Sequence, residues 1–286
     1  MKKIRMKNVN TVIIYLVLIF WAVTTIYPIF WVITNSFKDK KQIMSDAFSL
    51  PLGELFTTEN YRDAFSKMDI LTAYRNSIVI SGCVAVAVIL LAGMASFALV
   101  RYQFKGSSLL YNLVIAAMMF PVFSTIIPVF RMEFSWGIAG TGKTALSLLS
   151  VILPQIAGNL AFAIVVLTGY IRSLPIDLEE AAFMEGCNAY QIFFKVIMPL
   201  TKPSFATVGI FSFLWSYNDL FTQQFFLRNK DEWAITRLLL EISSREGTNY
   251  GLMAAVVTMV VVPLLIVYVC LQKYIVKGMT AGAVKG

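Results

Sequence analysis

Three stretches of this 286-residue chain combine residue types that could do chemistry. The first is FSFLWSYNDLF, where Asp219 lies in an apolar run beside Trp215, Tyr217 and Asn218. A carboxylate inside an apolar segment is costly unless it is paired or used, so Asp219 is a functional candidate by default. Aromatic rings stack on the C–H faces of sugars, and amide and carboxylate oxygens accept from sugar hydroxyls, so these four residues suit a saccharide. A structural alternative is an interfacial aromatic belt with Asp219 hydrogen-bonded between helices. A third reading makes Asp219 the proton or cation site of an ion-coupled secondary transporter.

The second stretch is Gly137 to Thr144, GIAGTGKT, which matches the Walker A spacing letter for letter. A working P-loop joins a buried strand to a helix so that backbone N–H groups can cradle phosphates. Here the preceding RMEFSW is polar and the following segment is one long apolar run. No second hydrophobic strand ends in an acidic residue to complete a nucleotide site. The match is read as a Gly-rich loop. The third stretch is Ser173 to Pro203, charged and helix-patterned between two very apolar segments. Pro175 suits a first helical position, and Asp177, Glu179 and Glu180 favour the positive end of the helix dipole. Gly186 reads as a left-handed stop, Asn188 with Gln191 as a capping-box restart, and Pro199 as the end of a second short helix. The pattern predicts helix, glycine turn, helix; a solvated hairpin with ordinary caps is the plain alternative.

The elements that must position these residues are membrane spans. The chain is 58% hydrophobic and 14% charged, with charge-free runs long enough to cross a bilayer. The expected fold is an all-α membrane protein with six spans, near residues 11–33, 76–100, 107–130, 144–171, 204–227 and 252–272. Residues 1–10 form an N-terminal tail, 173–203 a loop and 273–286 a C-terminal tail. The first run is too long and too aromatic for a cleaved signal peptide. Gly82, Gly93, Ala95 and Ser96 in span two favour close helix packing. Pro121 and Pro128 are expected to kink span three, and Pro263 to break span six. Counted with both termini in the cytoplasm, the whole net charge of +8 falls on that side. This accounts for the basic character without nucleic acid. The chain has no histidine, and Cys83, Cys187 and Cys270 are odd in number and far apart. No His-based metal site or triad is possible, a disulfide framework is not indicated, and no cofactor is expected. Neither H-E-x-x-H nor G-x-S-x-G occurs, which disfavours a membrane hydrolase.

The third stretch also carries a resemblance. Glu180-Ala181-Ala182, three residues, Gly186, nine residues, then Val196-Ile197-Met198-Pro199 resembles the EAA loop of ABC-importer membrane subunits. In that family the loop is the coupling helix that sits in a cleft of the ATP-hydrolysing subunit. The resemblance therefore implies ATPase-coupling roles for Glu180, Ala181, Ala182, Gly186 and Pro199, with Val196 and Met198 as conservative departures. The Trp-x-x-Asn-Asp element at Trp215 and the ending LQKYIVKGMTAGAVKG are similar to maltose-type carbohydrate permeases. So is WGIAGTGKTALSLLSVILPQIAGNLAFAIVVLTGYIRSLP; the likeness is weakest in 38–67. It implies a type I ABC importer permease fold in the cell membrane. The implied partners are a second permease subunit, two ATP-binding-cassette subunits, an extracellular solute-binding protein and a carbohydrate. Trp215, Tyr217, Asn218 and Asp219 become candidates for the substrate path. The subunit itself is expected to be no enzyme.

Overall fold

A backbone in hydrocarbon has no water to bond, so apolar runs of this length must close their hydrogen bonds within themselves as helices. The computed structural model describes residues 2–102, 104–245 and 249–283, and among them there is helix and no strand. Helices α1 (Lys2–Asn35), α4 (Ile70–Arg101), α7 (Thr144–Arg172) and α14 (Tyr250–Ala283) are each long enough to span. Two bent pairs can supply further spans, giving four to six among the described residues.

The chain divides into two units, Met1–Asp69 with Leu239–Leu264, and Ile70–Leu238 with Leu265–Gly286. In the first, α1 leads into a loop carrying α2 (Lys40–Ser45) and α3 (Glu59–Lys67). Polar bonds organise that loop. Asn60 Nδ2 donates to the carbonyls of Ser36 (2.9 Å) and Lys38 (2.7 Å), and Ser36 Oγ pairs with Tyr61 Oη at 2.7 Å. Lys38 is fully buried, its Nζ donating to Asp46 O and Ser49 Oγ. Burial holds its pKa below the ordinary lysine value, and Asp46 only partly offsets this. The unfolded chain thus keeps the proton more readily, so the loop gains stability as pH rises toward 10.5.

Gly251, near the start of α14, lies close against the same loop. A Cβ there would lie 2.6 Å from Lys38 O and 2.8 Å from Asn60 Nδ2. Gly251→Ala is expected to destabilise by ~1–3 kcal/mol, because a main-chain oxygen cannot move aside. At Gly209 the obstacle is the flexible tip of Ile89, 2.7 Å away. Gly209→Ala should stay within about 0.5 kcal/mol of the parent, since better helix propensity offsets mild crowding. Thermal unfolding of the two detergent-solubilised variants checks the difference.

The second unit is built on α4 packed along α7, with α11 (Lys202–Asn218) lying against both. Small residues allow this approach. Ala92, Gly93 and Ser96 are buried, Ser96 Oγ donates to Ile164 O at 3.1 Å, and Phe205 fills the space a side chain at Gly93 would need. Gly82 has no such neighbour, so only part of the expected small-residue stripe is used.

Three spans differ from expectation. Residues 107–130 are not one kinked helix: α5 (Ser107–Ala117) and α6 (Val122–Ser135) meet at 104°. Pro121 stands at the start of α6, where its missing N–H costs nothing, and Pro128 is carried inside α6. Residues 204–227 are likewise interrupted, α11 ending at Asn218 and α12 (Leu220–Phe226) starting after Asp219. Pro263 does not break the last span, because α14 runs through it.

Candidate functional site

The loop after α7 folds as α8 (Asp177–Met184) and α9 (Ala189–Ile192), continued through a π-helical turn, Phe193–Ile197, into α10 (Met198–Leu200). Helix α8 begins at Asp177, so Pro175 precedes it rather than opening it. The turn between α8 and α9 is a Schellman motif. Cys187 N donates to Ala182 O at 3.0 Å and Gly186 N to Phe183 O at 2.9 Å, with Gly186 at φ +82°. Asn188 and Gln191 form the reciprocal capping box, each bond 2.9 Å. Pro199 is exposed, one residue before the end of α10.

The two adjacent glutamates of α8 diverge because successive helical side chains point about 100° apart. Glu180 and Ala181 are exposed and Ala182 is half-buried, while Glu179 is buried. Glu179 Oε1 accepts from Arg101 Nε at 2.5 Å, and Arg101 Nη2 donates to the carbonyls of Ile171 and Leu174, each at 3.1 Å. One guanidinium at the end of α4 thus ties the end of α7 to α8. The pairing of Arg101 with Glu179 is not legible in the sequence; the doubled glutamate at 179–180 is the available signal. Beyond this anchor the hairpin presents Phe183, Met184 and Tyr190, 69%, 84% and 72% exposed. The hairpin is thus a short element fixed at its base by Arg101 with apolar side chains exposed at its tip.

The stretch around Asp219 does not act as one cluster. Tyr217 is buried against Phe213, and Trp215 packs edge-on to Phe162, with ring centroids 4.8 Å apart. Asn218 is exposed and its Nδ2 returns to Leu214 O. Asp219 alone of the four lines a cleft of about 510 Å³ bordered by α6, α7 and α12. Its Oδ1 caps α12 by accepting from Thr222 N (3.1 Å), and its Oδ2 accepts from Gln155 Nε2 (2.9 Å). Ser216 Oγ donates to Gln155 Oε1 at 2.5 Å, and Gln223 Nε2 donates to Ser216 O at 3.1 Å. Gln155 was not anticipated, although a Pro154-Gln155 pair inside an apolar span was the signal.

The Walker-like loop is a connection without a strand. Gly137, Gly140 and Gly142 all have positive φ, Lys143 is exposed, and Thr144 Oγ1 donates to Asp231 Oδ2 at 3.2 Å. Among the described residues no group of His, Cys, Asp or Glu could hold a metal.

Comparison with known proteins places this architecture. Residues 85–281 match the model of the binding-protein-dependent transport system inner membrane component family. The diacetylchitobiose uptake system permease protein NgcG of Streptomyces coelicolor is 33% identical over 267 residues, 93% of this chain and 86% of the relative. The trehalose transport system permease protein SugB of Mycobacterium tuberculosis is 31% identical over 279 residues, 93% and 97% of the two chains. In the crystal structure of a bacterial ABC transporter involved in import of the acidic polysaccharide alginate, one chain superposes with a TM-score of 0.80. It is 22% identical, with 94% of this chain and 98% of that chain covered, so the likeness is one of fold. An all-helical membrane protein with an ABC importer permease fold, the chain belongs to the family of binding-protein-dependent transport system inner membrane components.

Proposed function

We propose that this chain is one transmembrane subunit of an ATP-driven sugar importer, pairing with a second permease around an alternating-access path. Two ATP-binding-cassette subunits would engage the Asp177–Leu200 hairpin, and an extracellular binding protein would deliver the saccharide on the opposite side. The hairpin carries this reading: a left-handed Gly186 turn, an inward Glu179 anchored to Arg101, and an outward Glu180 beside exposed Phe183 and Met184. Closure of the ATPases would move α8, and the Arg101 tie would pass that motion to α4 and α7 as a rigid-body rotation. The names of the relatives, which concern diacetylchitobiose, trehalose and arabinooligosaccharides, support a saccharide cargo. The basic flanks support cytoplasmic termini. A cysteine placed at Gly140 in a Cys187-only background should label in intact cells with an impermeant thiol reagent, while Cys187 should not.

The ion-coupled alternative remains tied to Asp219, and energy source separates the two. Uptake of labelled diacetylchitobiose, trehalose and arabino-oligosaccharides is measured after collapsing the proton gradient at constant ATP, and after depleting ATP. Uptake that follows ATP, with Asp219→Asn losing only a part of the rate, is expected. Uptake that survives ATP depletion and is abolished by Asp219→Asn would favour the ion-coupled reading.

A further inference from the structure

The cleft beside Asp219 holds a second carboxylate that the hairpin and the transport reading leave unused. Glu133, on α6, lines the same cleft and is 2% exposed, and its Oε2 has no hydrogen-bond partner. A buried carboxylate oxygen without a donor is unfavourable, and an ionisable group of this kind in a membrane protein is a functional candidate by default. Asp219 lines the same cleft, its two oxygens held by Thr222 N and Gln155 Nε2, and each carboxylate oxygen keeps capacity for a further donor. Thr125, Thr222 and Gln155 add neutral polar groups, Trp136 adds a stacking face, and no lysine or arginine is among the described residues lining the cleft.

Where helices break, membrane transporters tend to place their substrates, and this cleft borders both the α5–α6 elbow and the α11–α12 break. We propose that it is a saccharide subsite selective by charge: Glu133 and Asp219 accept from hydroxyl or ammonium groups of a neutral or amino-bearing sugar and repel uronic acids. The selectivity would set this chain apart from its structural neighbour in the importer of an acidic polysaccharide. The inference rests on the sugar-import reading and concerns which sugar the subunit itself contacts.

The test is calorimetric titration of the full chain in lipid nanodiscs with three β-1,4 disaccharides: the glucosamine dimer, diacetylchitobiose and the glucuronate dimer. The first two are expected to bind about tenfold or more tightly than the diuronate, because like charges facing each other across a desolvated site are strongly disfavoured. Glu133→Gln should narrow the ratio between glucosamine dimer and diuronate to within about threefold. Asp219→Asn, which retains an oxygen to cap α12, is the second variant should Glu133→Gln fail to fold, and should narrow it as well. Equal or tighter binding of the diuronate, an unchanged ratio in the folded variants, or no binding of any of the three would overturn the proposal. The energy-source experiment reads uptake independently, so loss of the subsite and loss of the importer reading are distinguishable.

Discussion

Glu180→Lys is expected to reduce sugar uptake below about a tenth of the parent rate while the subunit remains folded and in the membrane. Glu180 is exposed on α8 and stands next to the anchored Glu179. In the proposed docking its carboxylate would meet a basic residue of an ATPase, and reversing its charge would turn attraction into repulsion. Gly186→Val should give the same loss for a different reason. A Cβ at Gly186 meets no atom within 4 Å, so nothing inside the subunit obstructs it. The cost comes from φ +82°, about 1–2 kcal/mol for a residue with a Cβ, and from bulk added to the docking face. Gly186→Asn, which tolerates the left-handed conformation, should retain much more uptake than the valine variant. Uptake at matched membrane expression, together with pull-down of the ATPase, checks all three. Normal uptake in Glu180→Lys and Gly186→Val would remove the docking role from the hairpin.

Arg101→Ala is expected to have the largest effect on stability. The Arg101–Glu179 pair has side chains only 12% and 10% exposed, and Arg101 also holds two main-chain carbonyls. Removing one partner of such a pair leaves the other charge buried and unpaired, which costs about 3–5 kcal/mol. Glu179→Gln keeps an acceptor for Arg101 and should cost less, while Glu179→Ala should approach the arginine variant. Swapping the two charges should not rescue, because a glutamate at 101 cannot donate to Ile171 O and Leu174 O. Thermal unfolding of solubilised protein gives the ranking. A rescued swap would mean that the main-chain bonds contribute little.

How much of this was legible in the sequence follows from the range of the interactions involved. The hairpin was readable because its determinants are local: a left-handed glycine, a capping pair three residues apart, and acidic residues in a first turn. Long apolar runs gave α1, α4, α7 and α14 for the same reason. The breaks at 118–121 and at Asp219 were not readable, because proline reports a missing N–H but not whether the chain bends by 20° or, as here, 104°. Pro263 shows the converse, a proline carried inside an unbroken helix. The sugar-suited cluster of Trp215, Tyr217, Asn218 and Asp219 was inferred from adjacency, and a helix turns adjacent residues to different faces. Only Asp219 reaches the cleft; its partner Gln155 and the second carboxylate lining that cleft, Glu133, come from 64 residues away or further. Arg101 and Glu179, separated by 78 residues, were invisible as a pair for the same reason.

Crosslinking at Met184 tests the central claim most directly. This residue is 84% exposed at the tip of α8, beside the glycine turn. A photo-activated residue is introduced there in cells that retain sugar uptake, the membranes are irradiated, and the adduct is identified by mass spectrometry. A covalent adduct with a cytoplasmic ABC ATPase, lost in Glu180→Lys, is the expected result. Uptake at the parent rate with no ATPase adduct from position 184 would contradict the assignment of this hairpin as the element through which ATP hydrolysis drives transport.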